Sequence, residues 1–214
     1  KLIDYIDIAS VDNENKKVTG FQTMSFGEAP SRARKAVKKG SILVSTVRPN
    51  LNAVAILEDD TPNVSVASTG FCILNCKDNV DNRFVFNFCK SKAFIEDMVS
   101  QATGASYPAV SDNIVRSALV PNYPDEEQCH ISEILDRVSS AIEKRKVELA
   151  ILDDLIKARF VEMFGDPVSN PLGWEKKMLK TVCVKLNDGT HFSPESFEEG
   201  EYKYVTAKNI KESG

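Results

Sequence analysis

The chain contains 214 residues, of which 42% are hydrophobic and 27% are charged, a composition typical of globular proteins. No apolar run approaches the roughly 20 residues that a membrane-spanning helix needs, and the first residues, Lys-Leu-Ile-Asp, do not resemble a signal peptide, so we expect a soluble, cytoplasmic protein. The formal net charge of −4 excludes a nucleic-acid binder that is basic over its whole surface, but it does not exclude a local basic face.

Residues 1–124 have the pattern of a mixed, strand-rich domain within an α+β fold. Strands are predicted at residues 5–9, 41–45, 53–57 and 64–74, the last of these being broken at Ser68-Thr69-Gly70. The second and third strands flank a turn at Arg48-Pro49-Asn50. Residues 84–99 have helical spacing, and because their aromatic side chains recur at short helical intervals we place them in the core rather than against nucleic-acid bases.

The first domain contains a stretch without acidic residues, between Glu28 and Glu58. Its six basic residues are Arg32, Arg34, Lys35, Lys38, Lys39 and Arg48. Acidic residues concentrate elsewhere, especially at 125–148 and 195–201. The stretch predicts either a local basic face on an acidic body or a solvated polar turn, and on charge alone the polar turn is favoured.

A long helix is predicted over residues 125–164. Asp125 is expected as its N-cap, with Gln128 three residues further on in a variant of the capping box. Apolar residues then recur at alternating steps of four and three, which is the heptad pattern of a coiled coil, interrupted by Arg145 and Arg159. Gly165 and Pro167 end the pattern, and a helix of this span would be about 60 Å long.

Such a helix is too long to bury its apolar seam against one small domain, so we expect it to pair with another helix. The helix-pairing candidates are Ile131, Leu135, Val138, Ile142, Leu149, Leu152 and Ile156. The alternative is a helix packed on its own domain. Arg145 and Arg159 are expected to need acidic partners across the seam, because an unpaired charge in a dry seam is costly.

Residues 165–214 predict the beginning of a second, truncated domain. The segment Tyr204–Ile210 repeats the apolar outline of Tyr5–Val11, and each is followed by a polar turn. If the echo reflects a true repeat, the chain holds about one repeat of a longer parent with two such domains and two helices.

Catalytic and metal-binding patterns are not found in the sequence. His130 and His191 have no Ser/Asp context for a triad, and no glycine-rich phosphate loop occurs. The five cysteines include no CxxC pair, so we interpret them as reduced thiols and predict no metal site. We therefore expect a chain that is not an enzyme by itself.

Taken in order, several segments resemble the specificity subunits of type I restriction-modification systems. The first domain contributes Pro30-Ser31-Arg32-Ala33-Arg34, Val37–Leu43, Ser45-Thr46-Val47-Arg48-Pro49, Ala67–Phe71 and Gly104–Ala109. The helix entry and exit contribute Pro121–Gln128, Phe164-Gly165-Asp166-Pro167 and Asn170–Trp174, and Asp188–Pro194 resembles the opening of a second domain. No single motif is specific, whereas their order over nearly the whole chain is.

The resemblance implies a target-recognition domain for residues 1–124, with its start missing, and a spacer helix. In the family, two such domains each read half of a bipartite site on double-stranded DNA, and two helices pair antiparallel as a ruler. Methyltransferase subunits that use S-adenosylmethionine to methylate adenine dock on the helices, and ATP-dependent motor-nuclease subunits join for restriction. The resemblance therefore implies that this chain binds no cofactor itself.

DNA reading needs cations that neutralise phosphates and polar side chains that reach base edges. The candidates for DNA binding are the six basic residues above together with Ser45, Thr46, Thr69, Ser106 and Tyr107. For each of these, turn formation or helix capping is an equal alternative. The rival function is a non-enzymatic adaptor that dimerises through its long helix, with possible self-association, and binds protein. The DNA sequence recognised does not follow from the chain, because DNA shape and loop geometry both contribute to it.

Overall fold

The computed structural model describes residues 1–185 and 205–206, and the strands in that part of the chain form two sheets. The strands are β1 (Leu2–Ile6), β2 (Val11–Asp12), β3 (Lys17–Val18), β4 (Gln22–Ser25), β5 (Ala33–Ala36), β6 (Ile42–Ser45), β7 (Val54–Ile56), β8 (Val64–Ser68) and β9 (Phe71–Leu74). One sheet has the order β4-β1-β8-β5, and the other has the order β2-β3-β7-β6-β9. Among the strands that the structure describes, only the pairs β1–β8 and β3–β7 are parallel.

Strand β6 is buried on both faces, which explains its continuous apolar sequence. Leu43 packs with Ile6 and Phe71 in one core cluster, whereas its neighbours Ile42 and Val44 belong to a second cluster that includes helical residues. Because successive side chains point to opposite faces of a strand, one strand joins both cores.

Three short helices cover the outer face of the second sheet: α1 (Asn82–Cys89), α2 (Lys92–Ser100) and α3 (Asp112–Ser117). The helical spacing predicted over residues 84–99 is divided between α1 and α2, because Ser91 begins a new helix by accepting a hydrogen bond from the backbone N of Phe94 at 3.2 Å. The core placement of the aromatics is confirmed for Phe84 and Phe94, which are buried.

Two other predicted strands differ in their bounds. The first strand is Leu2–Ile6 rather than residues 5–9, because Asp7 caps a single 3-10 turn over Ile8–Ser10. The region 64–74 contains two strands, β8 and β9, which lie in different sheets on either side of the turn at Thr69-Gly70.

The long helix α4 spans Asp125–Phe164, as predicted. Asp125 lies within its first turn and is not the N-cap. Gln128 does not complete a capping box; its Nε2 donates to the carbonyl of Tyr123 at 2.7 Å, and its Oε1 accepts from the backbone N of Asp81 at 3.1 Å. The buried amide thus joins the helix to the segment that precedes α1.

Two ion pairs extend this junction along α4. Arg83 contacts Asp136 at 2.9 Å, and Lys17 contacts Glu143 at 3.0 Å. By its contacts the chain divides into two compact units, residues 1–151 and 152–214. The first half of α4 belongs with the strand-rich domain because of this packing, while the segment bounds at 124 and 164 stay predictions from the sequence pattern.

The second unit begins with the end of α4 and its termination. Gly165 adopts a φ of 74°, and the indole Nε1 of Trp174 donates to the carbonyl of Phe164 at 2.9 Å. A short helix α5 (Leu179–Val182) follows. Most of the predicted second domain, including His191 and all of the Tyr204–Ile210 echo except residues 205 and 206, lies outside the described residues. None of the helices described is long and apolar enough to cross a membrane.

Candidate nucleic-acid interface

Four loops meet at one end of the strand-rich domain, where three backbone hydrogen bonds join them. The N–H of Thr46 donates to Gly70 O at 2.8 Å, and the N–H of Thr69 donates to Arg32 O at 2.8 Å. The N–H of Arg48 donates to Pro108 O at 2.7 Å. We call Arg32, Thr46–Arg48, Thr69–Gly70 and Tyr107–Pro108 the loop cluster; it brings together predicted candidates that are up to 75 residues apart in the chain.

The segment 103–109 is closed on itself at the edge of this cluster. Thr103 and Ala109 exchange two backbone hydrogen bonds, each of 2.9 Å. Gly104 has a φ of 104°, and a Cβ placed there would lie 2.9 Å from the carbonyl oxygen of Tyr107. Only glycine fits this position without a shift. Gly104 lies within one of the segments that resemble the family, but its part in shaping this loop could not be predicted from the sequence pattern.

Arg48 and Tyr107 face each other across the loop cluster. The Cζ atom of Arg48 lies 4.5 Å from the centroid of the Tyr107 ring, within the range of a cation–π contact. Both side chains are exposed, Tyr107 to 68%. Arg32, Arg34, Thr69 and Ser106 are exposed as well, so these six predicted candidates are accessible to a ligand.

Ser45 and Thr46, by contrast, are buried. The hydroxyl of Ser45 donates to the carbonyl of Val47 at 3.0 Å, and the hydroxyl of Thr46 donates to the carbonyl of Gly70 at 3.0 Å. This geometry argues against the DNA contacts predicted for the two residues, because their hydroxyl groups are engaged in shaping the loops.

Lys35 is also engaged within the domain. Its Nζ atom donates to the carbonyl of Phe71 and to a carboxylate oxygen of Asp112, both at 2.6 Å, and the side chain is half-buried. A guanidinium nitrogen of Arg116 lies 3.8 Å from the same carboxylate. Arg116 is an exposed cation that the sequence analysis missed because it lies outside the acid-free stretch; its i,i+4 spacing to Asp112 is the signal that would have drawn attention to it.

Strand β5 divides the basic stretch. Lys38 and Lys39 follow strand β5, whereas Arg32 precedes it, so about 20 Å of extended chain separates them. The Nζ of Lys39 lies 3.1 Å from Asp59, and its backbone N donates to Asp60 at 3.0 Å. The carboxylates of Asp59 and Asp60 therefore contact Lys39. Arg32 and Arg48, by contrast, lie in the loop cluster.

The predicted pairing residues of α4 are mostly exposed. The exposed fraction rises from 39% at Leu135 to 68% at Ile156, with Val138, Ile142, Leu149 and Leu152 between them, and Ile131 is half-buried. Arg145 and Arg159 pair with Glu148 and Glu162 one turn further along the same helix, and the expectation of acidic partners across the seam stays a prediction. A contiguous apolar stripe of this kind is typical of a helix that has a partner.

The cysteines of the domain are free thiols. Burial raises the pKa of Cys89 to about 12, with a smaller contribution from Cys76 nearby, and it raises the pKa of Cys72 as well. A thiol with a raised pKa is a poor nucleophile and a poor metal ligand at neutral pH. Within the described ranges, no group of three or more His, Cys, Asp or Glu side chains is placed to hold a metal ion.

Comparison with known proteins assigns this arrangement to a family. Residues 3–151 match the family model described as "Type I restriction modification DNA specificity domain". The specificity subunit of the type I restriction enzyme HindI from Haemophilus influenzae is 28% identical over 156 residues, which cover 71% of this chain and 34% of that subunit. The MjaIX specificity subunit from Methanocaldococcus jannaschii is 25% identical over 189 residues, which cover 80% of this chain and 42% of that subunit.

Solved structures agree with these relatives. The HsdS subunit from Thermoanaerobacter tengcongensis superposes with a TM-score of 0.59 at 30% identity, over 78% of this chain and 44% of that chain. A chain from a study of assembly and conformational transition of the type I R-M system gives a TM-score of 0.65 at 26% identity, over 83% of this chain and 45% of that one. The chain thus spans less than half the length of these relatives. Its strand-rich domain and the first half of α4 match one family model throughout, and the chain belongs to the family of type I restriction-modification DNA specificity domains.

Proposed function

We propose that this chain is a DNA-reading part of a type I specificity subunit and that it contacts double-stranded DNA through the loop cluster. The observation that carries the proposal is the convergence of Arg32, Arg48, Thr69 and Tyr107 at one end of the domain that the family model matches. Guanidinium groups bind phosphates and base edges, and exposed loops on a rigid scaffold are the usual place for such contacts. The comparisons lend no support to the protein-binding adaptor.

The chemistry of modification and restriction is assigned to partner subunits in this proposal. The chain would direct adenine methylation by a methyltransferase that binds S-adenosylmethionine, and restriction by an ATP-dependent motor-nuclease subunit. It would itself be non-catalytic and would read one half of a bipartite site. Support comes from its similarity to two specificity subunits of type I restriction enzymes.

The exposed apolar stripe of α4 is assigned to helix pairing. The stripe consists of large aliphatic side chains that lie at heptad spacing and are exposed to water. Its partner would be the second spacer helix of a full specificity subunit or, for this chain alone, a second copy. Methyltransferase subunits would dock on the resulting helical pair.

A salt-titrated binding assay tests the proposal directly. The purified chain is titrated against duplex DNA at several salt concentrations, and the logarithm of the binding constant is plotted against the logarithm of the salt concentration. Phosphate contacts impose a slope of about −0.9 per contact, whereas a protein-binding adaptor has no affinity for the duplex. Absence of binding at low salt would reject the proposed function.

A further inference from the structure

We propose that Arg48 reads a guanine base, rather than anchoring a phosphate, and that Tyr107 is the positioning residue that orients its guanidinium group. The inference rests on the proposed DNA-binding function, which it deepens by assigning one side chain of the loop cluster to base recognition. Three features of the loop cluster support it: the backbone of Arg48, the free edge of its guanidinium group, and the construction of the loop that carries Tyr107.

The backbone of Arg48 is held in an unfavourable conformation. Its φ of 50° and ψ of 62° lie in the left-handed region, although it is not a glycine and it precedes Pro49. The residue before a proline normally adopts an extended conformation. Two hydrogen bonds hold the strained geometry: Arg48 N donates to Pro108 O at 2.7 Å, and Leu51 N donates to Arg48 O at 2.9 Å. Strain that the surrounding structure maintains is found most often at functional sites.

The guanidinium group of Arg48 is supported on one face and free at its edges. The Tyr107 ring lies against it, with 4.5 Å between Cζ and the ring centroid. In the part of the chain that the structure describes, the guanidinium N–H groups of Arg48 make no hydrogen bond or ion pair, whereas Arg34 donates its Nε–H to Ser31 O at 2.9 Å. A planar fork with free N–H groups is the arrangement that bonds to O6 and N7 of guanine together.

The backbone of the loop that carries Tyr107 is constrained. It is closed by the hydrogen-bond pair between Thr103 and Ala109, and it depends on the left-handed backbone of Gly104. A phosphate can be bound by a flexible lysine acting as a point charge. A base edge requires a fixed orientation, and the strained backbone and the aromatic support together provide one for Arg48.

A selection experiment with a randomised duplex DNA library tests this assignment. The full chain is used to capture DNA, and the bound sequences and the salt slope are determined for the wild type and for Arg48→Ala, Arg48→Lys, Tyr107→Ala and Tyr107→Phe. Arg48→Lys keeps the charge and loses the fork, so we expect the guanine preference at one motif position to fall about tenfold or more. The other positions and the salt slope stay as in the wild type. Tyr107→Ala weakens the preference at the same position, whereas Tyr107→Phe keeps the ring and retains it.

Two results would overturn the assignment, and a third separates it from the proposed function. If Arg48→Ala weakens the base preference equally at all motif positions and makes the salt slope shallower, Arg48 is a phosphate anchor. If the motif is unchanged in this variant, Arg48 makes no contact with the DNA. Failure of the wild type to bind any duplex rejects the proposed function and the inference with it.

Arg137→Lys, at an exposed arginine of α4, is the matched control and should leave the motif unchanged. If Arg48→Lys proves unstable in a thermal melt, the comparison of Tyr107→Ala with Tyr107→Phe decides the question.

Discussion

Ser132 of α4 donates a hydrogen bond from its hydroxyl to Oδ1 of Asp81, at 2.9 Å. The same carboxylate oxygen accepts from the backbone N of Phe84 at 2.6 Å and thereby caps α1. The backbone N of Asp81 donates to Gln128, and both Gln128 and Ser132 are buried. One aspartate thus begins one helix and fixes the start of another against the domain.

Replacing Asp81 with Ala should lower the free energy of unfolding by about 1–2 kcal/mol, since an N-cap is lost. A further decrease is expected because the buried hydroxyl of Ser132 loses its partner. Urea denaturation followed by circular dichroism measures the change. Ser139→Ala, at an exposed serine on the same helix, serves as the control; an equal loss in the two variants would contradict the role assigned to Asp81.

Replacing Arg32 and Arg34 with Ala should weaken binding to all DNA sequences alike. If each arginine contacts one phosphate, the magnitude of the salt slope decreases by about 2. Lys35 is left unchanged because it pairs with Asp112 inside the domain. The double variant Lys38→Ala/Lys39→Ala removes the same charge from the other end of β5, and its slope should stay close to that of the wild type. Identical slopes in the two double variants would show that the loop cluster has no special part in binding.

Replacing Leu149 and Leu152 with Asp should abolish helix pairing, because buried carboxylates without partners are costly in an apolar seam. Both side chains are more than half exposed, so the domain itself should remain folded. Sedimentation equilibrium measures the association, with Lys144→Asp as a control away from the seam. An oligomer that persists in the double variant would show that another surface mediates association.

Acid stability should depend on Asp4, whose side chain is fully buried and has no cationic partner among the described residues. Burial raises its pKa, but hydrogen bonds from Thr23 and Asn63 outweigh this and hold the pKa of Asp4 below its ordinary value. Its contribution to stability is therefore present above the unfolded pKa of about 3.9 and is lost as the pH falls through the lower folded pKa. Asp4→Asn should flatten this part of the curve of unfolding free energy against pH. The exposed Asp78→Asn controls for the loss of one charge, and matching curves for the two variants would reject the explanation.

The long helix was predictable because its signal is local. Steps of three and four residues recur over the whole of Asp125–Phe164, and Gly165 ends it through a positive φ. The break between α1 and α2 was missed because Ser91 was not recognised as a cap within an apolar run. The start of α4 was predicted correctly from the sequence pattern. The role of Gln128 was not predicted, because its partner Asp81 lies 47 residues earlier in the chain.

The residue types of the candidate site could be predicted from the sequence, but their arrangement in space could not. The charge pattern left a local basic face and a polar turn open, and it did not show that β5 separates Arg32 from Lys38 and Lys39. The ion pair between Lys35 and Asp112 spans 77 residues, and nothing local to either residue indicates it. The contact between Arg48 and Tyr107 likewise depends on where two distant loops meet, which only the assembled sheets determine.

Three of the bonds that join the loop cluster run from backbone N–H to backbone carbonyl. Such bonds are indifferent to side-chain identity, apart from the restriction that proline places on a donor. Exposed positions such as Arg32, Thr69 and Ser106 can therefore be exchanged while the loops keep their mutual placement. Under the proposed function, the loop backbone is the scaffold of the DNA-binding surface and the exposed side chains are its content, so new DNA preferences would arise by substitution without a new fold.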